Sequence, residues 1–321
     1  MLRYKRQLND DAFKILLSEF GNFIIPEIKS ARPISDPFAL DIQFRENDKL
    51  MVYYGTTCIL IVEINTKKST LKFSAAKSYT DGFLRTYNFG EISKGDISAY
   101  LKRIIPIVNS KYYSNKKEGY YQNILSYIHG EISNDKSPYV IFDRECVIGF
   151  SDTMEKSNLF DPIAEKFGNI RTKLQVSNPK KYGKPLSKKF GNELDFLAID
   201  NELNLHCIEL KHGSNTSGIY WGPLQIAVYK ELFNHCGLSS LFKDIKSLVS
   251  QKADLNLLPK EAKSFFQNKN SFNSIISHLL IGKPNYKSSC WDTMKDVINE
   301  NVNELSCKIS ITEKDGLIQD L

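Results

Sequence analysis

The sequence lacks the features that mark membrane, secreted and repeat proteins. No apolar run in its 321 residues reaches the roughly 18 residues that a membrane-spanning helix needs. The first residues, MLRYKRQLNDD, contain no apolar segment of the kind found in signal peptides. Internal repeats and low-complexity tracts are also missing. We therefore expect a cytoplasmic globular protein with no membrane partner, long enough for two domains.

Soft metal ligands and disulfide frameworks are poorly represented as well. The six cysteines include no CxxC pair, and Cys58, Cys146 and Cys207 lie in apolar, strand-like runs. The five histidines show no pairwise ligand spacing, and His206 and His212 fall on the face of their segment opposite to its acid. The pattern predicts reduced, buried thiols, and it argues against a zinc site or a disulfide framework.

Two strand-like segments joined by a short turn carry the strongest chemical signal. GNELDFLAID and LNLHCIELK both alternate apolar and polar residues, and Asp200, Asn201 and Glu202 between them are turn formers. The pattern predicts a β-hairpin. Because residues two apart in a strand share a face, Asp195 projects on the same side of the first strand as Leu197.

The predicted register brings charged residues together. If the apolar residues of both strands face one core, Leu197 opposes Cys207 and Asp195 opposes Glu209, with an odd number of residues in the connection. Lys211 shares the face of Glu209. Partly desolvated carboxylates in contact repel each other unless a cation joins them. Lys211 supplies one charge, but a divalent metal would satisfy both acids better, and oxygen ligands without thiolates favour Mg²⁺ or Mn²⁺ over Zn²⁺.

The segment that follows the hairpin, GPLQIAVYKELF, has the composition of a helix. Proline is tolerated in a first helical turn, so we expect this helix to open at Gly222 and Pro223. Gln225 and Tyr229 are four residues apart and therefore share one face of the helix. That face can carry an amide and a phenol toward the edge of the sheet.

This combination resembles the PD-(D/E)xK nuclease superfamily, and within it the branch related to the RecB nuclease domain. An acid-x-Lys tripeptide alone is a weak signal, but its strand, turn, strand and helix context makes the combination much stronger. The matched positions, in chain order, are Asp195, Glu209-Leu210-Lys211, Gln225 and Tyr229. The resemblance speaks to the C-terminal part of the chain and not to its N-terminal third.

The resemblance implies a mechanism for these residues. Asp195 and Glu209 would bind Mg²⁺ or Mn²⁺, and Lys211 would act on the attacking water and on the pentacovalent phosphate. Gln225 and Tyr229 would complete the catalytic set on the helix. The implied activity is metal-dependent hydrolysis of phosphodiester bonds by a prokaryotic type of endonuclease, on DNA with RNA left open, in repair or in defence against foreign DNA.

An acid on an upstream helix often joins the site in this family. Here the helical segment NLFDPIAEKFGNIRTKL offers Glu165 as a catalytic candidate, although Glu165 lies off the apolar stripe that begins at Ile163. Asp161 precedes Pro162 and is better interpreted as the N-cap of this helix.

A lysine-rich segment directly precedes the first strand of the hairpin. The net charge of +6 would not by itself identify a nucleic-acid-binding protein, and a run of lysines is often only a solvated loop. Next to a phosphodiesterase site, contact with the phosphate backbone is the better interpretation. The candidates for nucleic-acid binding are Lys180, Lys181, Lys184, Lys188 and Lys189.

The succession of segments predicts two domains and an α/β fold. A polar stretch, GEISNDKSP, separates residues 1–135, an N-terminal α+β domain with a meander of strands, from residues 136–321. Strand, helix, hairpin, helix, strand in the second domain is the order of a restriction-endonuclease-like mixed sheet flanked by helices. The first domain would bind substrate or a protein partner, or form a homo-oligomer.

Two less specific interpretations remain beside the nuclease. The acid and lysine residues could form a cross-strand salt bridge on a solvated face, and Glu193 could be either a ligand or a surface residue. The chain could also be a non-catalytic nucleic-acid-binding or assembly module that keeps the fold. Glu63 in CILIVEINTK resembles the acid of the motif, but Asn65 stands where the lysine should be. We interpret that segment as an ordinary buried strand with a charged end.

Overall fold

The chain divides into two compact units, each with its own β-sheet and helices. The computed structural model describes residues 4–108, 113, 116–134, 136–185, 190–191 and 193–321. The N-terminal unit consists of Lys5–Ser137 with Asp244–Ser264, and the C-terminal unit of Pro138–Lys243 with Phe265–Leu321 and Tyr4. The protein is therefore of the mixed α/β class. In the part of the chain that the structure describes, no helix is both long and apolar enough to cross a membrane.

The N-terminal unit is built on a five-stranded antiparallel meander. Its strands pair in the order in which they occur along the chain, which confirms the predicted meander. Asn47 turns the first strand into the second with a φ of 66°, a left-handed conformation that asparagine tolerates. The elements of this unit are α1 (Asp10–Leu17), α2 (Ile24–Ser30), β1 (Asp41–Arg45), β2 (Lys49–Tyr54), β3 (Thr57–Asn65), β4 (Thr70–Ser74), β5 (Thr86–Asn88), α3 (Asp96–Ile104) and α4 (Glu118–Ser126).

The C-terminal unit is built on a six-stranded mixed sheet. Its strand order is β11-β10-β9-β8-β7-β6, in which β8, β9 and β10 are parallel and the other pairs are antiparallel. Every residue of β8 is buried, so any polar side chain on it needs a partner. The elements are β6 (Val140–Val147), α5 (Thr153–Ser177), α6 (Pro179–Tyr182), β7 (Glu193–Ile199), β8 (Leu205–His212), α7 (Thr216–Cys236), β9 (Ile275–Gly282), α9 (Cys290–Asn299), β10 (Lys308–Thr312) and β11 (Ile318–Asp320).

One helix, α8 (Leu238–Asp254), begins in the C-terminal unit and ends in the N-terminal one. Its last turns belong with the N-terminal unit because they carry long-range hydrogen bonds there. The Gln251 amide binds the backbone N–H and C=O of Leu8, each at 2.8 Å, and Lys252 Nζ donates to Gln43 Oε1 at 2.7 Å. The predicted division into residues 1–135 and 136–321 does not include this return of residues 244–264 to the N-terminal unit.

Two helices begin earlier than the sequence pattern predicts. The N-cap of α5 is Asp152, whose side chain accepts from Glu155 N at 2.7 Å, so the prediction of Asp161 as the N-cap is wrong. Helix α7 begins at Thr216, and the prediction that Pro223 lies in its first turn is also wrong. Pro162 and Pro223 each lie inside a helix that packs against the core through other residues. This packing outweighs the preference of proline for a first turn.

The cysteines behave as their distribution predicts. None of the six forms a disulfide bond. Cys146 on β6 and Cys207 on β8 are buried, and Cys58 on β3 is half-buried. Burial raises the pKa of the Cys207 thiol well above its ordinary value, so this thiol stays protonated and packs as a small apolar side chain.

Candidate active site

The hairpin that carries the candidate residues is closed by a turn that Asp200 organises. Ile199 opposes Leu205, so five residues connect the strands, and the predicted odd number is confirmed. Asp200 Oδ1 accepts from Asn204 N at 2.8 Å, and Leu203 adopts a left-handed φ of 63°. These local bonds fix the register of the hairpin independently of the rest of the sheet.

The predicted opposition of Leu197 to Cys207 is confirmed, whereas the backbone ladder between the two strands stops before the predicted pair of Asp195 and Glu209. Leu197 opposes Cys207, and the last backbone pair is Phe196 opposite Ile208. Beyond this pair β7 continues along β6, and β8 continues along β9 as far as His212. The paired part of the hairpin therefore stops at this end, and the two strands continue along different neighbours.

A carboxylate takes the place of a ladder partner at the point where the strands part. Asp195 Oδ2 accepts the backbone N–H of Leu210 at 2.7 Å. Leu210 is the residue between Glu209 and Lys211, so the carboxylate of Asp195 is held directly beside the acid-x-Lys motif. Sequence reasoning placed these residues on one face, and the structure brings them together through this hydrogen bond.

Glu209 and Lys211 form a buried ion pair. Lys211 Nζ donates to Glu209 Oε1, and the two residues are only 8% and 2% exposed, in that order. A cross-strand salt bridge on a solvated face is therefore the wrong description of this pair. Burying two charges is costly unless they are paired closely, and such pairs contribute more to a specific arrangement than to net stability.

Helix α7 lies on the face of the sheet that carries the ion pair. Leu279 of β9 opposes Glu209, and a Cβ placed on Gly222 would lie 2.7 Å from Leu279 Cδ1. A larger residue at position 222 would force the end of the Leu279 side chain to shift. The helix is held at its N-terminus by Asn215, whose side chain accepts from Gly218 N at 3.0 Å.

Gln225 and Tyr229 connect α7 to the start of β7. Gln225 Nε2 donates to the Tyr229 hydroxyl at 3.2 Å, and that hydroxyl donates to the backbone carbonyl of Glu193. Burial, and next to it the charges of Glu209 and Asp195, raise the pKa of the Tyr229 phenol well above its ordinary value. Tyr229 therefore carries a neutral hydroxyl near the candidate acids. Its contact with Gln225 is the one that their shared helix face predicts.

The other candidates are placed differently. Glu165 is exposed on α5, whereas Ile163 and Phe167 of the same helix are buried, so Glu165 does not join the buried group. Glu193 is also exposed, and its backbone carbonyl accepts from the Tyr229 hydroxyl.

The lysine-rich segment is described in part. Lys180 and Lys184 are exposed, as a contact with phosphate requires. Lys181 instead pairs with Asp296 of α9 and lies over the Tyr182 ring, 5.2 Å from its centroid. The predictions for Lys188 and Lys189 lie outside the described residues.

One acid close to the site was not singled out from the sequence. Glu145 of β6 stands between Arg144, which opposes Phe196, and Cys146, which opposes Leu194, so its backbone lies opposite that of Asp195. Glu145 has a left-handed φ of 50°, an uncommon conformation for a residue within a strand. The run VIFDRECV contains two acids, Asp143 and Glu145, and its sequence pattern alone does not distinguish between them.

Asp195 and Glu209 are the side chains of the site that could hold a hard cation. Within the described residues, no group of three or more His, Cys, Asp or Glu side chains is placed to hold a metal ion. Asp195 and Glu209 provide two carboxylates on one face. Two carboxylates suffice for Mg²⁺, which keeps several of its waters, but not for a closed zinc site.

Comparison of the chain with protein-family models, curated proteins and solved structures gave no match. The functional assignment therefore depends on the residues and on their geometry. Two carboxylates, a buried ammonium and a neutral phenol converge where β7 and β8 part. Such a set can bind a divalent cation, orient a water molecule and neutralise charge on a phosphoryl oxygen.

Proposed function

We propose that this protein is a metal-dependent nuclease that hydrolyses phosphodiester bonds, with DNA as the preferred substrate. The observation that carries the proposal is the position of Asp195, whose carboxylate is bound to the Leu210 amide between Glu209 and Lys211. A structural salt bridge would not need the second acid at this place. We also propose that the six-stranded mixed sheet with α5 and α7 is a core of the restriction-endonuclease type.

Asp195 and Glu209 are the residues that would hold Mg²⁺ or Mn²⁺. When bound, the ion supplies a water of lowered pKa and a Lewis acid for the phosphoryl oxygens. The two carboxylates supply the negative charge that attracts the ion. The hydrogen bond from the Leu210 amide holds the Asp195 carboxylate beside the acid-x-Lys motif and reduces the reorganisation that binding requires.

Lys211 supplies the mobile positive charge of the reaction. In hydrolysis, the oxygen of water bonds to phosphorus, the bond from phosphorus to the leaving oxygen breaks, and the leaving oxygen gains a proton. Lys211 already lies beside Glu209, where its ammonium can hydrogen-bond the attacking water or the phosphoryl oxygen that becomes more negative. Interactions that strengthen in the transition state lower the barrier without adding much substrate affinity.

Tyr229 and Gln225 act as positioning residues. The Tyr229 hydroxyl binds the Glu193 carbonyl and so ties the helix to the first residue of the strand that carries Asp195. Since its pKa is raised, Tyr229 is not a general base at neutral pH. Its loss should therefore loosen the geometry of the acids and not remove a chemical step.

The test is cleavage of plasmid and of labelled single strands with Mg²⁺ or Mn²⁺, for the wild type and for Asp195→Asn, Glu209→Gln and Lys211→Ala. Each change should lower turnover by on the order of 100-fold or more, since each removes a group that acts in the transition state. Affinity measured in EDTA should be nearly unchanged for Lys211→Ala.

A matched control comes from the acid on β3 that resembles the motif. Glu63 is also a strand glutamate, but its partner Lys72 is exposed and 3.8 Å away, so Glu63→Gln should cleave like the wild type. Full cleavage by Lys211→Ala would contradict its role. Absence of cleavage by the wild type with either metal, together with intact binding, would favour the non-catalytic module.

A further inference from the structure

An aromatic pair joins the loop that follows β9 to the first turn of α9. Tyr286 is 61% exposed, and its ring is nearly parallel to that of the half-buried Trp291, at 10° with centroids 6.3 Å apart. We call Tyr286 and Trp291 the aromatic ledge. Because most of the Tyr286 ring stays in contact with water, it adds little to core packing and is accessible to a partner.

The ledge is held rigidly by the loop itself. Trp291 Nε1 donates to the backbone carbonyl of Asn285 at 2.8 Å, and Ser288 N donates to the same carbonyl at 3.0 Å. These bonds fix the indole relative to the backbone that carries Tyr286. Rigid aromatic surfaces bind flat partners without a large loss of conformational entropy.

The loop lies at the end of β8 that carries the candidate active site. His212 opposes Gly282, and Gly213 N donates to Gly282 O at 2.7 Å. A Cβ on Gly213 would lie 2.0 Å from the carbonyl oxygen of Lys283, so only glycine permits this contact. Lys211 is two residues before Gly213, which at about 3.3 Å per residue places the start of the loop about 7 Å along the strand from it.

The ledge is also on the same face of the sheet as the acids. Trp291 packs against the apolar cluster that contains Leu279, Ile281 and Ile226 of α7. Leu279 opposes Glu209 across the sheet, so α7, α9 and the ledge share the face from which Glu209 projects. A strand of nucleic acid that reaches the acids can therefore reach the ledge without crossing the sheet.

The charges near the ledge favour a polyanion. Lys283 and Lys287 on the loop are both exposed. The ion pair of Lys181 with Asp296 attaches α6 to α9, and Lys180 of α6 is exposed. Lys283 and Lys287 lie on the same loop as Tyr286, so they can contact the phosphates of a strand whose bases stack on the ledge.

We propose that the aromatic ledge stacks unpaired bases, so that the substrate presents a single-stranded segment beside the scissile phosphate. This proposal rests on the proposed nuclease function. Stacking is tolerant of sequence because every base has an aromatic face, and each stacked base strengthens binding several-fold or more. Duplex DNA, whose bases are already stacked, would gain nothing from the ledge.

The experiment measures affinity in EDTA for two labelled strands of equal length, oligothymidine and an abasic strand with the same backbone charge. The wild type should bind oligothymidine at least about tenfold more tightly than the abasic strand. Tyr286→Ala should remove most of this difference and leave affinity for the abasic strand unchanged. Phe20→Ala is the matched control, because Phe20 and Phe89 form a stacked pair in the N-terminal unit, with ring centroids 5.8 Å apart.

Tryptophan fluorescence gives a second readout. The chain has two tryptophans, and Trp221 is buried, so quenching by oligothymidine should disappear in Trp291→Phe. Three results would refute the stacking proposal. They are equal affinity of the wild type for both strands, no binding of either strand, and an unchanged preference for oligothymidine in Tyr286→Ala. Cleavage of plasmid with Mg²⁺ is measured separately. Cleavage without base-dependent binding would refute only the stacking proposal, and base-dependent binding without cleavage would refute only the proposed nuclease activity.

Discussion

Replacing Lys211 with methionine tests whether the ion pair is a buried functional group or an ordinary surface contact. Methionine keeps the length of the side chain but removes the ammonium that pairs with Glu209. The carboxylate then loses its cation in a place where it is only 2% exposed. We expect Lys211→Met to lower the free energy of unfolding by about 3 kcal/mol at pH 7, the usual loss when one partner of a buried pair is removed.

The double variant Glu209→Gln/Lys211→Met should recover most of this loss, because it removes both charges. Mg²⁺ should also restore part of the stability of Lys211→Met, since a cation bound by Glu209 and Asp195 replaces the missing ammonium. A ligand at about 100 times its dissociation constant adds about 2.7 kcal/mol.

The measurement is urea denaturation in EDTA and in Mg²⁺, with Lys72→Met as the control. Lys72 pairs with Glu63 on the N-terminal sheet at 3.8 Å, and its side chain is 55% exposed, so its loss should lower stability by less than about 1 kcal/mol. Equal losses for Lys211→Met and Lys72→Met would refute the reasoning. A double variant that is no more stable than Lys211→Met would do the same.

Three further predictions concern helix packing, pH and salt. Gly222→Ala places a methyl group 2.7 Å from Leu279 Cδ1 and should lower the urea midpoint through overpacking of about 1 to 3 kcal/mol; an unchanged midpoint would contradict the close approach. Burial, assisted by nearby positive charge, lowers the pKa of His278 from 6.5 to about 3. Between these two pH values the unfolded chain binds a proton that the folded protein does not. The free energy of unfolding therefore falls as the pH drops from about 6.5 toward 3. The loss is about 2 kcal/mol between pH 6.5 and 5, and His278→Gln should flatten this part of the stability profile. Lys180→Gln with Lys184→Gln should reduce the slope of log affinity against log salt by roughly 0.7 to 0.9 for each lost phosphate contact, and an unchanged slope would mean that the segment is only solvated.

The sequence by itself determined the hairpin and its register. Alternation with period two, a five-residue connection and the turn residue Asp200 leave one pairing that buries the apolar side chains, and Leu197 opposite Cys207 follows from it. The shared face of Gln225 and Tyr229 also follows from local geometry, because a helix repeats every 3.6 residues. These features depend on neighbours in the chain, which is why a pattern in the sequence is enough to predict them.

Only the tertiary structure decided how deeply these groups are buried and what lies around them. The sequence did not show that α7 crosses Leu279 closely enough to require Gly222, or that packing continues that helix through Pro223. It also could not exclude Glu165, whose exposure depends on the face that α5 turns to the sheet. The burial of the ion pair, the close approach of α7 to the sheet and the aromatic ledge arise from contacts between residues far apart in the chain. A local sequence pattern does not determine which residues those contacts shield from solvent.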